Sequence, residues 1–168
     1  MADMDRRLPA LIAALTALGL VGAFLVPRRF QDLRERNEAA AARALLALAK
    51  AEAVYREGAG AYSGDLAALA DALAASGRAA AFPDLPGRGL EHGYRFGSVE
   101  IDETGRPLPR GRRFAYYAVP EVYHVTGERT MLVDPEGRVY ARDEGAGLIP
   151  SAWPASDPTA AGWLILDK

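Results

Sequence analysis

Cysteine is absent from the chain, so disulfides, thiolate metal sites and cysteine nucleophiles are excluded together. Histidine is nearly absent: His92 and His124 are the only two, and neither has a second histidine or a carboxylate at metal-ligand spacing. Both read as loop or strand histidines without a role. Charge of one sign is also lacking. Twenty basic and 22 acidic residues are spread along the chain to a net charge of -2, which leaves no electrostatic footprint for nucleic acid. No glycine-rich phosphate loop opens a helix, and Ser63 and Ser151 sit in turn-like surroundings rather than on a nucleophile elbow. Without a catalytic constellation, the expectation is a protein that is not an enzyme, takes no small-molecule substrate and needs no cofactor or metal. One acidic group is a weak exception. Asp134, Glu136, Asp143 and Glu144 would hold Ca²⁺ if their oxygens converged, although acidic turns are usually just solvated.

What is present is apolar and helical. The 168 residues, 50% of them hydrophobic, have room for one modest domain and an appendage. From Leu8 to Val26 runs "LPALIAALTALGLVGAFLV", 19 residues with no charge. As a helix it spans about 28 Å, close to the roughly 30 Å hydrocarbon core of a bilayer, so 8–26 is expected to cross once. A cleaved signal peptide is the rival, given the basic start at Arg6 and Arg7 and the small residues Val21-Gly22-Ala23, but the apolar stretch is long for one. Arg28, Arg29, Arg34 and Arg36 follow the segment, so basic residues alone would weakly place the C-terminal part inside.

Beyond Pro27, the positions Phe30, Leu33, Ala41, Ala44, Leu45, Leu48 and Tyr55 recur at the period of one helical face. From Arg28 to Glu57 there is neither Gly nor Pro, and "GAG" at 58–60 supplies a stop. Proline within the helix predicts a kink or local unwinding at 27. Such a helix is longer than one small domain can cover. Leu33, Leu45, Leu48 and Tyr55 are expected to bury against the sheet of the domain, and Gly19 and Gly22 permit close approach of other helices in lipid.

A second helix is predicted in "SGDLAALADALAASG", 63–77, capped by Ser63 or Asp65 and ended by Gly77. A Pro/Gly-rich loop follows at 82–93, then strands at 94–101, 113–122, 129–134 and 138–142, the last two joined by the "DPEG" turn. "GWLILDK" would add an edge strand or cover the core. Phe114, Tyr116, Tyr117, Trp153 and Trp163 are expected mainly in the core. The organisation is therefore α+β: 1–7 a leader or cytoplasmic end, 8–26 a transmembrane helix, 27–57 its amphipathic continuation, and 58–168 a globular domain.

This order of features, carried by "VPRRFQDLRERNEAAAARALLALAKAEAVYREGAGAYSGDLAALA" at 26–70, resembles type IV pilins and type II secretion pseudopilins. The stretch "FAYYAVPEVYHVTGERTMLVDPEGRVYAR", 114–142, looks like the hairpin region of such proteins. The resemblance implies a long N-terminal helix, half transmembrane, packed on a small antiparallel sheet. It implies a single-pass protein of the bacterial inner membrane with its C-terminal domain extracytoplasmic, serving as a minor or tip component of a pilus or pseudopilus. Its partners would be other pilin-like subunits, an inner-membrane assembly platform and membrane lipid. Helix packing and assembly would fall to Leu11, Leu15, Leu18, Gly22, Pro27, Phe30, Leu33, Leu45, Leu48 and Tyr55. The chain departs from the family at its start. With Pro27 matched to the family's helix proline, Arg6 stands where mature pilins begin with phenylalanine, Asp5 replaces the preceding glycine, and Ala10 replaces a buried glutamate that pairs with a neighbour's amino terminus. The alternative reading is a membrane-tethered extracytoplasmic binding module that does not polymerise.

Overall fold

The computed structural model describes residues 4–86, 89–109, 111–145, 148–154 and 156–166, with side chains from residue 30 onward. The chain divides into two compact units, Met1–Leu33 and Arg34–Lys168. Helix α1, Met4–Ala59, contributes to both. A kink or local unwinding is expected at Pro27; α1 runs through it as continuous helix, so it does not unwind there. Among the residues with described side chains, no helix is long and apolar enough to cross a membrane; the predicted span 8–26 lies outside that set.

In the second unit, α1 ends where the glycines predict, with the Gly60 N–H donating to the Arg56 carbonyl at 2.8 Å. Helix α2, Leu66–Ala75, is capped by Asp65, whose carboxylate accepts from the Ala68 N–H at 2.8 Å. Its Leu69 and Leu73 are buried. Among the described residues, six strands form one antiparallel sheet in sequence order: β1 Leu90–Glu91, β2 Tyr94–Ser98, β3 Tyr116–Pro120, β4 Thr130–Val133, β5 Val139–Arg142 and β6 Leu164–Ile165. The fold is α+β, a long helix packed on this sheet.

Alternation along the strands builds two cores. The register aligns Phe96, Ala118, Met131 and Ala141 in one row, and Ser98, Tyr116, Val133 and Val139 in the next. All of these except Ser98 belong to the cluster that also holds Ala41, Ala44, Leu45, Leu48 and Ala51 of α1. Small helix residues face large sheet aromatics, which lets the helix backbone lie close to the strands. On the other face Leu132 and Tyr140 pack with Val99, Leu108, Trp153 and Trp163. The tail thus does both things anticipated for it. β6 pairs with β5, and the two tryptophans cover the sheet face that α1 leaves free.

The stretch read only as loop, 82–93, contains β1. Glu91 pairs with Tyr94 across a two-residue connection, His92-Gly93, in which both residues have positive φ, 50° and 70°. That is the backbone of a type I′ hairpin turn, whose twist suits antiparallel strands. The strands predicted at 94–101 and 113–122 are trimmed to five residues each.

Candidate functional site

Three groups of α1 side chains fix the domain to the helix, and two of them are polar. The first is at the helix positions "RERNE", 34–38. Glu38, though a carboxylate, is buried at 8% exposure. One of its oxygens accepts from the Glu128 and Arg129 backbone N–H groups at 3.0 and 3.3 Å, and the other accepts from Arg129 Nε at 2.7 Å. Asn37 Nδ2 donates to the Thr126 carbonyl at 2.9 Å, and Arg34 pairs with Glu128. Together they grip residues 126–129 of the β3–β4 connection. Buried charges of this kind are retained only when each lone pair finds a donor, and here they do.

The connection itself is tightly built. The Val122 carbonyl accepts from the Val125 and Thr126 N–H groups at 3.0 and 2.8 Å, and His124 N–H donates to the Gly127 carbonyl at 2.9 Å. The Val122 N–H donates to Thr126 Oγ1 at 3.1 Å. His124 adopts φ 63°, a left-handed conformation that is uncommon for a residue with a side chain. Its ring lies 3.9 Å from that of Tyr123, and its Nδ1 is 3.3 Å from the Glu128 carboxylate. The Tyr123 hydroxyl donates to Asp143 at 2.9 Å, which raises the tyrosine pKa; the Gly145 N–H, and after it the Tyr123 hydroxyl, lower the Asp143 pKa. Gly127 lies against the Tyr94 ring, and a Cβ there would come within 2.7 Å of Cε2. Tyr94 is itself buried and donates to the Arg129 carbonyl at 3.1 Å, and burial pushes its pKa well above the usual tyrosine value.

The second polar group is Glu52, fully buried near the end of α1. Its carboxylate accepts from the Ser63 and Gly64 N–H groups at 2.8 and 2.7 Å and from the Tyr116 hydroxyl at 2.5 Å. It ties the turn after α1 to the middle of the sheet. Burial, then the neighbouring carboxylate, pushes the Tyr116 pKa strongly up. The apolar group between them consists of Leu45 and Leu48, both at 0% exposure, with Tyr55 partly buried against the same core.

The predicted assembly residues therefore separate. Leu45, Leu48 and Tyr55 serve the domain's own packing. Phe30 and Leu33 are exposed, at 47% and 45%. The expectation that Leu33 buries against the sheet is thus corrected: the inward stripe begins at Glu38 and Ala40, and Leu33 is not part of it. Leu11, Leu15, Leu18, Gly22 and Pro27 lie outside the residues with described side chains. Phe114, Tyr116, Trp153 and Trp163 are buried as expected, while Tyr117 is half-buried over Gly97.

The acidic group does not converge. Asp134 accepts from Arg138 Nε at 2.7 Å and from the Tyr140 hydroxyl at 3.1 Å, Glu144 pairs with Arg142, and Asp143 holds Tyr123. Desolvation, with Asp134 beside it, pushes the Tyr140 pKa up to about 12. Among the described residues no group of three or more Asp, Glu, His or Cys side chains is placed to hold a metal ion.

The sequence signal for the loop grip was the "N-E" step at 37–38, two polar residues where the apolar stripe begins; their partners lie some 90 residues away, with no local pattern to announce them. No family model, curated protein or solved structure matches the chain.

Proposed function

We propose that this chain is a non-enzymatic, pilin-like subunit, a minor or tip component of a type IV pilus or type II secretion pseudopilus. Residues 8–26 anchor it in the bacterial inner membrane, and the domain lies on the extracytoplasmic side. The observation that carries this reading is the division of labour along α1. Residues from Glu38 to Glu52 supply the face that the domain buries, whereas Phe30 and Leu33 leave large apolar surface in water. Exposed apolar positions on a helix that continues from an uncharged 19-residue segment suit partners of the same kind, other pilin-like subunits together with lipid and an assembly platform.

The intact mass of the native protein extracted from membranes tests it. A mature start near Arg6 supports prepilin-type processing and the filament role. Loss of everything up to about Ala23 overturns the anchor and the proposal with it. Crosslinking from residues 10–35 to other pilin-like chains is expected on coexpression, and its absence counts against assembly. The second reading, a tethered binding module outside any filament, is favoured by Ala10, which lacks the carboxylate that would pair with a neighbour's amino terminus. A full-length, uncleaved mass without such crosslinks selects it.

A further inference from the structure

From residue 36 to residue 56, the exposed surface of α1 carries charge of one sign. The two carboxylates in that stretch, Glu38 and Glu52, are buried and committed to the grips described above, while Arg36, Arg43, Lys50 and Arg56 are exposed. Arg56 is taken up by Tyr62, to whose hydroxyl it donates at 2.6 Å. Arg36, Arg43 and Lys50 make no ion pair with any of the described residues.

These three cations recur every seven residues. Each step falls about 20° short of two full helical turns, so they form one line about 21 Å long. Three residues after each stands an alanine or leucine: Ala39 and Ala53 are exposed and Leu46 is half-buried. The spacings from 36 through 39, 43, 46 and 50 to 53 alternate three and four, which is a heptad seam with cations at a and small or apolar side chains at d. The opposite face of the same turns, Ala41, Leu45 and Leu48, is locked into the domain core, so the seam looks outward from a helix already held in place. Hollows flank it on both sides, and Leu46 and Lys50 border both. One, of about 440 Å³, reaches Pro135 and Gly137 of the β4–β5 turn; the other, of about 260 Å³, reaches Phe82 and Pro83. A helix laid along the seam therefore has room for its side chains to either side. Glu136 and Asp84 also line the hollows, Glu136 being paired with Arg138 at 3.4 Å. Those carboxylates count against a nucleic-acid duplex, whose phosphates would meet them.

We infer that residues 36–53 of α1 form the docking seam for an acidic amphipathic helix of a different protein, which sets apolar side chains on Ala39, Leu46 and Ala53 and carboxylates against Arg36, Arg43 and Lys50. Charge selects the partner. In a parallel pair of identical copies each a position meets its own counterpart, so these cations would face one another, and self-pairing through the seam is disfavoured. That agrees with a component present in few copies among unlike neighbours. The inference goes beyond the subunit reading, because it depends on the domain alone and holds equally for a tethered module. The charges set partner choice and register more than affinity, and salt screens them.

The test uses the full-length chain in nanodiscs of phosphatidylcholine, which carries no net charge, and two fluorescent probes. One is a synthetic helix three heptads long, with leucine at d and glutamate at the positions that meet the cations; the other is duplex DNA. Fluorescence anisotropy is expected to show the acidic helix binding roughly tenfold more tightly than a scrambled peptide of the same composition, and more weakly as salt rises. The triple variant Arg36→Glu, Arg43→Glu, Lys50→Glu should lose that preference and take instead the same helix with lysine in place of glutamate. All three positions are exposed, so its thermal melt should match the parent's, and binding of the lysine helix is a second check on folding. The seam is overturned if the acidic helix binds no better than its scrambled control, if the triple variant keeps the original preference, or if the DNA binds more tightly than the helix.

Discussion

The Tyr116 hydroxyl donates to the Glu52 carboxylate at 2.5 Å inside the domain, joining the last turns of α1 to the middle of the sheet. Glu52→Ala would leave that hydroxyl and the Ser63 and Gly64 N–H groups without their acceptor. The expected loss is about 3 kcal/mol, a fall in Tm on the order of 10 °C for a domain of this size. Tyr116→Phe removes one donor and leaves two, so about 1–2 kcal/mol is expected. Thermal unfolding of both and of the double variant should show strong non-additivity, since the two residues share one bond.

Tyr94, Tyr116 and Tyr140 all have raised pKa values, chiefly from burial. In each case the fold favours the protonated form. The unfolded chain loses these protons as pH rises past about 10, whereas the folded chain holds them, so stability is fully present below that value and declines above it. Spectrophotometric titration of tyrosinate should therefore lag the content of seven tyrosines and complete only as circular dichroism reports unfolding.

Glu38→Gln keeps the shape of the side chain but removes the charge that Arg129 and two backbone N–H groups address. The 126–129 segment should open more often, with amide exchange at Glu128 and Arg129 faster by roughly tenfold, equivalent to about 1.4 kcal/mol. Exchange in α2 should be unchanged, because the grip does not reach it.

Gly127→Ala puts a methyl group into the Tyr94 ring. A loss of about 1–3 kcal/mol is expected from overpacking. In a Tyr94→Leu background the same change should cost much less, and chemical denaturation of the four proteins closes the cycle.

Much of this architecture was legible because it is local. The absence of Gly and Pro from Arg28 to Glu57, and the glycines after it, fixed the end of α1. Leucine spacing with Asp65 marked α2, and alternation around "DPEG" gave the β4–β5 hairpin. Three features were not legible. Leu33 falls on the helical period, but periodicity identifies a face and not how far along that face the domain extends. β1 was hidden in a Pro/Gly-rich stretch because a two-residue strand has no measurable alternation, and its turn uses a histidine where glycine or asparagine is usual. The polar grips of Glu38 and Glu52 were not seen because a buried glutamate and a solvated one look the same in sequence until their distant donors are known.

The sheet follows the chain, β1 through β6 in order, and this has a consequence for biosynthesis. Each strand can zip onto the one made just before it, so the sheet grows by short-range steps of the kind that fold quickly. The helix is synthesised first, yet Ala41, Leu45 and Leu48 share a core with Met131, Val139 and Ala141, which leave the ribosome last among their contacts. For most of translation the nascent chain therefore carries an uncovered sticky stripe directly behind its oiliest segment. Retaining that segment near a bilayer or a translocation channel during this interval would shield the stripe from other nascent chains until β4 and β5 arrive.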